Sequence, residues 1–208
     1  MTEPLPTSIR ANVGRAFVSA VVDARDNAID TRRGWFHSSS YELAPEWLGS
    51  TLGFRKYLGQ QFVFLRAPRT SVVLGSAARF EIATGPGQDF IITERLRAGG
   101  ANTVRGYDDV ILGQLTTPGD PNPRTGLVVL NEELRFPLFW RFRGATFYDH
   151  AILFGDIEFP GERNRNSVGG GVRLAFSFLI LRVDYGYPLS KDAQNQDGRW
   201  YFSIGQAF

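Results

Sequence analysis

The sequence reads as an all-β protein built as an antiparallel barrel of eight or nine strands, and three features carry that reading. Aromatic residues make up 13% of the 208 residues, 17 of them Phe, beside 23 Gly and 11 Pro. Aromatic and β-branched side chains suit a pleated surface, while Gly and Pro punctuate turns. Apolar and polar residues alternate with period two over several segments. Very short connections also alternate with long ones, which gives a barrel with tight turns on one rim and long loops on the other.

Composition removes several other classes. With no cysteine, disulfide scaffolds, thiolate zinc sites and thiol nucleophiles are excluded. The 23 basic residues barely outnumber the 21 acidic ones, for a net charge of +2, so charge offers no case for nucleic acid as a partner. No run approaches the roughly 18–20 apolar residues of a membrane-spanning helix. A modest mean hydropathy is compatible with a membrane β-barrel, whose strands alternate lipid-facing and lumen-facing residues. The opening Met-Thr-Glu-Pro-Leu-Pro lacks the layout of a secretory signal. On this reading the protein either stays in the cytoplasm or lost a signal and further domains ahead of this Met.

Residues 1–10 form an N-terminal extension, and residues 11–208 the barrel region. Strands are expected at about 12–24, 33–43, 51–66, 70–83, 127–138, 144–155, 166–176, 179–188 and 198–208, with the noisiest alternation at 51–66. The period is clearest at 70–83. There Val72, Leu74, Ala78, Phe80 and Ile82 share one face, and Ser71, Gly75, Ala77, Arg79 and Glu81 the other, with Val73 out of pattern. At 127–138, Val128, Leu130, Leu134, Phe136 and Leu138 oppose Asn131, Glu133 and Arg135, and Glu132 falls on the apolar side. Ala67-Pro68-Arg69, Arg141-Phe142-Arg143 and Ser177-Phe178 are the short connections. The long ones lie at 43–50, 84–124, 156–165 and 189–197. Periodicity alone fits an outer-membrane barrel and a soluble up-and-down barrel such as a lipocalin equally well. Residues 84–124 form one long loop, and a loop of that length within a compact domain points to function.

The loop centres on Arg97-Ala98-Gly99-Gly100-Ala101-Asn102-Thr103-Val104-Arg105-Gly106-Tyr107. It resembles the large-loop signature of the outer-membrane assembly-factor superfamily, which includes BamA, TamA and the two-partner secretion transporters. Asn131-Glu132-Glu133-Leu134-Arg135-Phe136-Pro137, Phe147-Tyr148-Asp149, Gly169-Gly170-Gly171-Val172-Arg173 and Leu181-Arg182-Val183-Asp184-Tyr185-Gly186-Tyr187-Pro188-Leu189 resemble strands that follow it. Arg199-Trp200-Tyr201-Phe202-Ser203-Ile204-Gly205-Gln206-Ala207-Phe208 looks like the family's terminal strand with its closing Phe. Asp23-Ala24-Arg25-Asp26-Asn27 with Arg33-Gly34 is similar to an upstream hairpin. Thr93, Leu96, His150 and Ala151 depart from the family pattern, where Pro, Phe, a small residue and Gly are usual.

The resemblance implies a transmembrane β-barrel in the bacterial outer membrane. The chain corresponds to the C-terminal half of a sixteen-stranded family barrel or to a smaller barrel that closes alone. It further implies a lumenal loop locked by Arg105 to Glu133 and Asp149, with Val104, Gly106 and Tyr107 completing the tip. An arginine at a loop tip is otherwise a solvated charge. In the terminal strand Trp200, Phe202, Ile204, Gln206 and Phe208 share a face, with Trp200 and Phe208 expected at the two membrane interfaces. The resemblance adds that this strand serves as an assembly signal and as a seam where client strands pair.

The implied activity is insertion of other outer-membrane proteins without enzymatic chemistry, cofactor or metal. Its partners would be the lipid bilayer, unfolded outer-membrane clients, and periplasmic POTRA domains with accessory assembly proteins. The alternatives are a two-partner-secretion-type transporter pore and a structural barrel without insertase activity alone. His37 and His150 stand in no metal-ligand spacing. Gly169-Gly170-Gly171 lacks the Lys-Ser/Thr of a phosphate loop. Asp108-Asp109 reads as solvated loop charge, and Asp23, Asp26 and Asp30 as turn residues. No nucleophile, base and oxyanion set presents itself.

Overall fold

The computed structural model describes residues 12–85, 96–111, 124–155, 164–189 and 197–208. Nine strands form one antiparallel sheet: β1 (Ala16–Asp23), β2 (Gly34–Ala44), β3 (Phe54–Arg66), β4 (Val73–Thr84), β7 (Arg124–Pro137), β8 (Phe142–Gly155), β9 (Asn164–Ala175), β10 (Ile180–Pro188) and β11 (Arg199–Ile204). Every neighbour in the sheet is also the next main strand in sequence, as in an up-and-down barrel wall. A two-stranded ribbon, β5 (Arg97–Ala98) with β6 (Val110–Ile111), lies within the long loop. All nine expected strands are present, the noisy 51–66 segment included. Among the described residues β1 and β11 do not pair with each other, so the sheet is open. Among the described residues the sheet does not close into the smaller barrel.

The cross-strand register divides the sheet into two faces. Phe62, Ala77, Asn131, Asp149 and Ser167 form one inward row, and Phe64, Gly75, Glu133, Phe147 and Gly169 the next. Leu74, Leu134, Val172, Leu181, Phe202 and Ile204 point the other way and are exposed. This departs from the rule for a soluble barrel, since Glu133, Arg135 and Asp149 are buried inside while a broad set of large apolar side chains is exposed outside. Glu132 stays on the outer face, where the alternation put it, and accepts a hydrogen bond from the Ser76 hydroxyl. Val73 is inward and buried, which explains its break from the apolar parity of β4.

Several boundaries differ from the sequence reading, two of them at informative places. The β7–β8 turn occupies residues 138–141, so Phe142 and Arg143 already belong to β8. Trp140 sits at this tip with a positive φ of 49°. The terminal strand ends at Ile204 rather than at Phe208, because Gly205 adopts φ of 99°, a turn conformation natural only to glycine.

The β1–β2 connection is held by its own Asp and Asn side chains. Asp26 accepts the N–H groups of Arg32 and Arg33 at 2.9 and 3.2 Å, and Asn27 those of Ile29 and Asp30 at 2.8 Å each. These are side-chain-to-backbone turns of the kind Asp and Asn favour. Asp30 also pairs with Arg143 of β8. Burial pushes the Asp30 carboxyl up, but Arg143 and Arg32 outweigh that and hold it below the ordinary aspartate range.

Candidate functional site

The inner wall from β7 to β10 carries acids and arginines where a soluble core would carry apolar groups. Glu133 on β7, Asp149 on β8 and Asp184 on β10 are all 0% exposed, and Arg105 of the loop tip is 1% exposed. Arg105 binds Asp149 through a planar fork, Nε to Oδ2 at 2.7 Å and Nη2 to Oδ1 at 2.8 Å. Its backbone N–H donates to the same carboxylate at 3.0 Å. Nη1 donates to Glu133 at 2.7 Å and to Asp184 at 3.3 Å. The guanidinium carbon lies 3.3 Å from the centre of the Phe147 ring, which closes off one face. Lysine, a point charge without the fork, could not make this set of bonds.

Three further arginines surround the same acids. Arg135 donates to Glu133 at 2.8 Å, and Arg173 donates to Glu133 at 2.9 Å while pairing with Asp184. Arg182 lies 3.4 Å from Asp184 and donates to the Ala101 carbonyl at 3.0 Å and to Asn102 at 2.9 Å. Four guanidiniums therefore share three carboxylates, all buried. Such a network need not add net stability, because desolvation offsets its Coulomb gain. What it fixes is geometry, since any displacement of the tip leaves a buried charge without a partner.

Backbone contacts complete the seat. The Asn131 amide donates to the Thr103 carbonyl at 2.6 Å and to Asp149 at 2.8 Å, and accepts from Arg79 at 2.6 Å. The Tyr201 hydroxyl accepts the Gly106 N–H and donates to the Tyr107 carbonyl, both at 2.9 Å. Gly106 holds φ of 97° with its Cα against residues 186–188 of β10. Val104 and Tyr107 are both 0% exposed and pack with Leu96, Leu127, Val129, Ala151 and Leu153. The Tyr107 hydroxyl donates to the Asn166 carbonyl at 2.9 Å.

The wall is cut away where the loop enters. A Cβ on Gly186 would come within 2.6 Å of the Gly106 nitrogen, and one on Gly171 within 1.9 Å of an Asp184 oxygen. Gly169 and Gly171 thus make room for the Phe147 ring and the Asp184 carboxylate, and the Gly169-Gly170-Gly171 run lies within strand β9 rather than in a loop that cradles phosphate.

All six residues expected at the lock, Val104, Arg105, Gly106, Tyr107, Glu133 and Asp149, meet in one place. Sequence reasoning missed Asp184, Arg135, Arg173, Arg182, Asn131 and Tyr201 as members of the same site. Their signal was parity, for Arg182 and Asp184 alternate with Leu181 and Val183 along β10. Asp108 and Asp109 are not free loop charge either, since they pair with Arg199 at 2.7 Å and Arg97 at 3.3 Å.

In the terminal segment Trp200, Phe202 and Ile204 face outward, and Phe202 is 77% exposed. Phe208 does not continue their stripe to a membrane interface. After the Gly205 turn it enters the inner face, 8% exposed, with its ring 5.8 Å from that of Phe62 and 6.0 Å from that of Phe64. Gln206 likewise lies beyond the strand. Among the described residues no group of three His, Cys, Asp or Glu is placed to hold a metal ion.

Comparison with known proteins places this architecture. A solved structure similar to the chain is the crystal structure of BamA from Haemophilus ducreyi lacking POTRA domains 1–3. The two share a TM-score of 0.70 and 15% identity over 92% of this chain. The chain spans only 42% of that structure's chain, and the likeness speaks for the fold. No curated protein matches. A family model described as the Omp85 superfamily domain matches residues 14–208, and on that match the chain belongs to the Omp85 superfamily.

Proposed function

We propose that this chain is the barrel portion of an outer-membrane factor that inserts other β-barrel proteins, acting by strand pairing and without covalent chemistry. The observation that carries this reading is the contrast between a loop tip seated in buried ion pairs and strand edges that are unpaired among the described residues. Among the described residues the outer edges of β1 and β11 are unpaired, and backbone groups on such an edge can add a client strand. In hydrocarbon such groups must find partners, so an open edge is a strong template for pairing. The lock at Arg105 keeps the inner wall rigid beside that edge, and it serves positioning rather than catalysis. Periplasmic repeats and accessory proteins would deliver clients to the seam.

The experiment is to fold the protein into lipid vesicles and follow an unfolded eight-stranded client by its heat-resistant migration on gels. Faster folding of the client into the bilayer is the expected result. Passage of an unfolded client into the vesicle interior, without insertion, would instead favour the secretion-transporter reading. Neither insertion nor passage would leave a structural barrel.

A further inference from the structure

One feature of the outer wall runs against the rest of it. The outward residues of β7 are Val128, Leu130, Glu132, Leu134 and Phe136, so a carboxylate stands mid-strand with apolar neighbours on both sides. Next to it on β8 the outward residues are Tyr148 and His150. Glu132 accepts from Ser76. His150 is bonded to the Asn166 side chain, which also accepts from the Tyr148 hydroxyl at 2.8 Å. The Tyr148 and His150 rings stack, 6.4 Å between centres and 8° from parallel. Five polar side chains thus adjoin on a face whose other members include Leu74, Leu130, Leu134, Val168 and Val172. The His37–Gln61 pair, on β2 and β3, is separated from them by Ala78 and Leu130.

A charge on the lipid face of a barrel is unfavourable, most so near mid-depth. Ionisable groups at such depth ordinarily face protein or a water-filled cavity and pair there. We propose that the outer wall from β4 to β9 docks a second copy of this chain, with Glu132 of one copy facing His150 of the other. The patch is self-complementary, an acid beside an imidazole, which is what an isologous two-fold interface requires. Two barrels in one membrane share their orientation, so the two-fold runs along the membrane normal and preserves depth. Glu132 and His150 lie one rung apart on adjacent strands, so facing patches bring each against the other's partner. Leu74, Leu134 and Val172 supply the surrounding apolar contact. The proposal requires only that the outer wall faces lipid, and it stands apart from the insertase reading.

The native chain has no cysteine, so a single Leu130→Cys places one thiol within the patch and leaves its polar groups intact. Leu181→Cys, on the same face of β10, is the control. After folding into phosphatidylcholine vesicles and mild oxidation, a disulfide-linked dimer is expected for Leu130→Cys and not for Leu181→Cys. Glu132→Leu or His150→Leu, checked for folding by heat-resistant migration, should weaken dimerisation by about tenfold. The exchange Glu132→His with His150→Glu should restore it, because the two-fold keeps the pair. Equal linking at both cysteines, or no linking at Leu130→Cys in folded protein, overturns the proposal and leaves lipid or an unrelated protein covering the patch.

Discussion

From Ala145 to Leu153, every second residue of β8 is buried against the loop tip and its charge network, whereas all eight residues of β1 are exposed. Both strands are hydrogen-bonded members of the same sheet. Ladder hydrogen bonds alone therefore do not make a rigid wall; what covers its inner face does. Where residues 96–111 are seated, side chains of neighbouring strands interlock with a loop that cannot shift without stranding charge. At β1, among the described residues, one edge is unpaired and every side chain is exposed. Regions with few buried contacts open at low free energy, so β1 is expected to open more readily than β8.

Removing the guanidinium should erase this contrast most completely. Arg105→Ala leaves Glu133 and Asp184 to the remaining arginines but takes the guanidinium from buried Asp149, and should cost about 3–5 kcal/mol, the usual penalty for breaking a buried ion pair. The urea midpoint of the folded protein should fall and proteolysis within 96–111 should begin, with amide exchange in β1 unchanged. Gly186→Ala attacks the same seat sterically. Its Cβ would meet the Gly106 nitrogen at 2.6 Å and the Arg105 carbonyl carbon at 2.7 Å, both backbone. A loss of about 1–3 kcal/mol is expected, as for other overpacked sites, with the same new proteolysis. Tyr201→Phe removes one hydroxyl shared by Gly106 and Tyr107 and should cost about 1 kcal/mol by thermal melting.

The smallest effect belongs to the β1–β2 turn. Because the folded state holds Asp30 below its ordinary range, the pair with Arg143 stabilises at neutral pH. That contribution is lost as acid protonates Asp30 below the usual carboxylate range. Melting curves of wild type and Asp30→Asn should differ at neutral pH and converge under acid. Convergence that instead appeared on raising the pH would contradict the assignment.

Most of the strand plan could be read from alternation, because a sheet with a wet inside and a lipid-facing outside imposes period two on every strand. That logic located Glu133 and Asp149 on the inner face and Glu132 on the outer one. It also flagged Val73, whose inward burial makes physical sense only once the packing is seen. The loop tip was legible through its resemblance to a family signature rather than through physics, since nothing local says where Arg105 will land. Asp184, Arg173 and Arg182 were missed because their role depends on three-dimensional convergence across β7, β8 and β10. Phe208 was misplaced for a different reason. Alternation extends a stripe indefinitely, and one glycine in a left-handed conformation at Gly205 ends it.

Hydrogen exchange at two loop amides tests the lock most directly. The Arg105 N–H is bonded to Asp149 and the Gly106 N–H to Tyr201, so in folded protein both should exchange as slowly as the amides of β8. Both should become fast in Arg105→Ala. Exchange at the rate of an exposed loop in the unaltered, folded protein would contradict the lock.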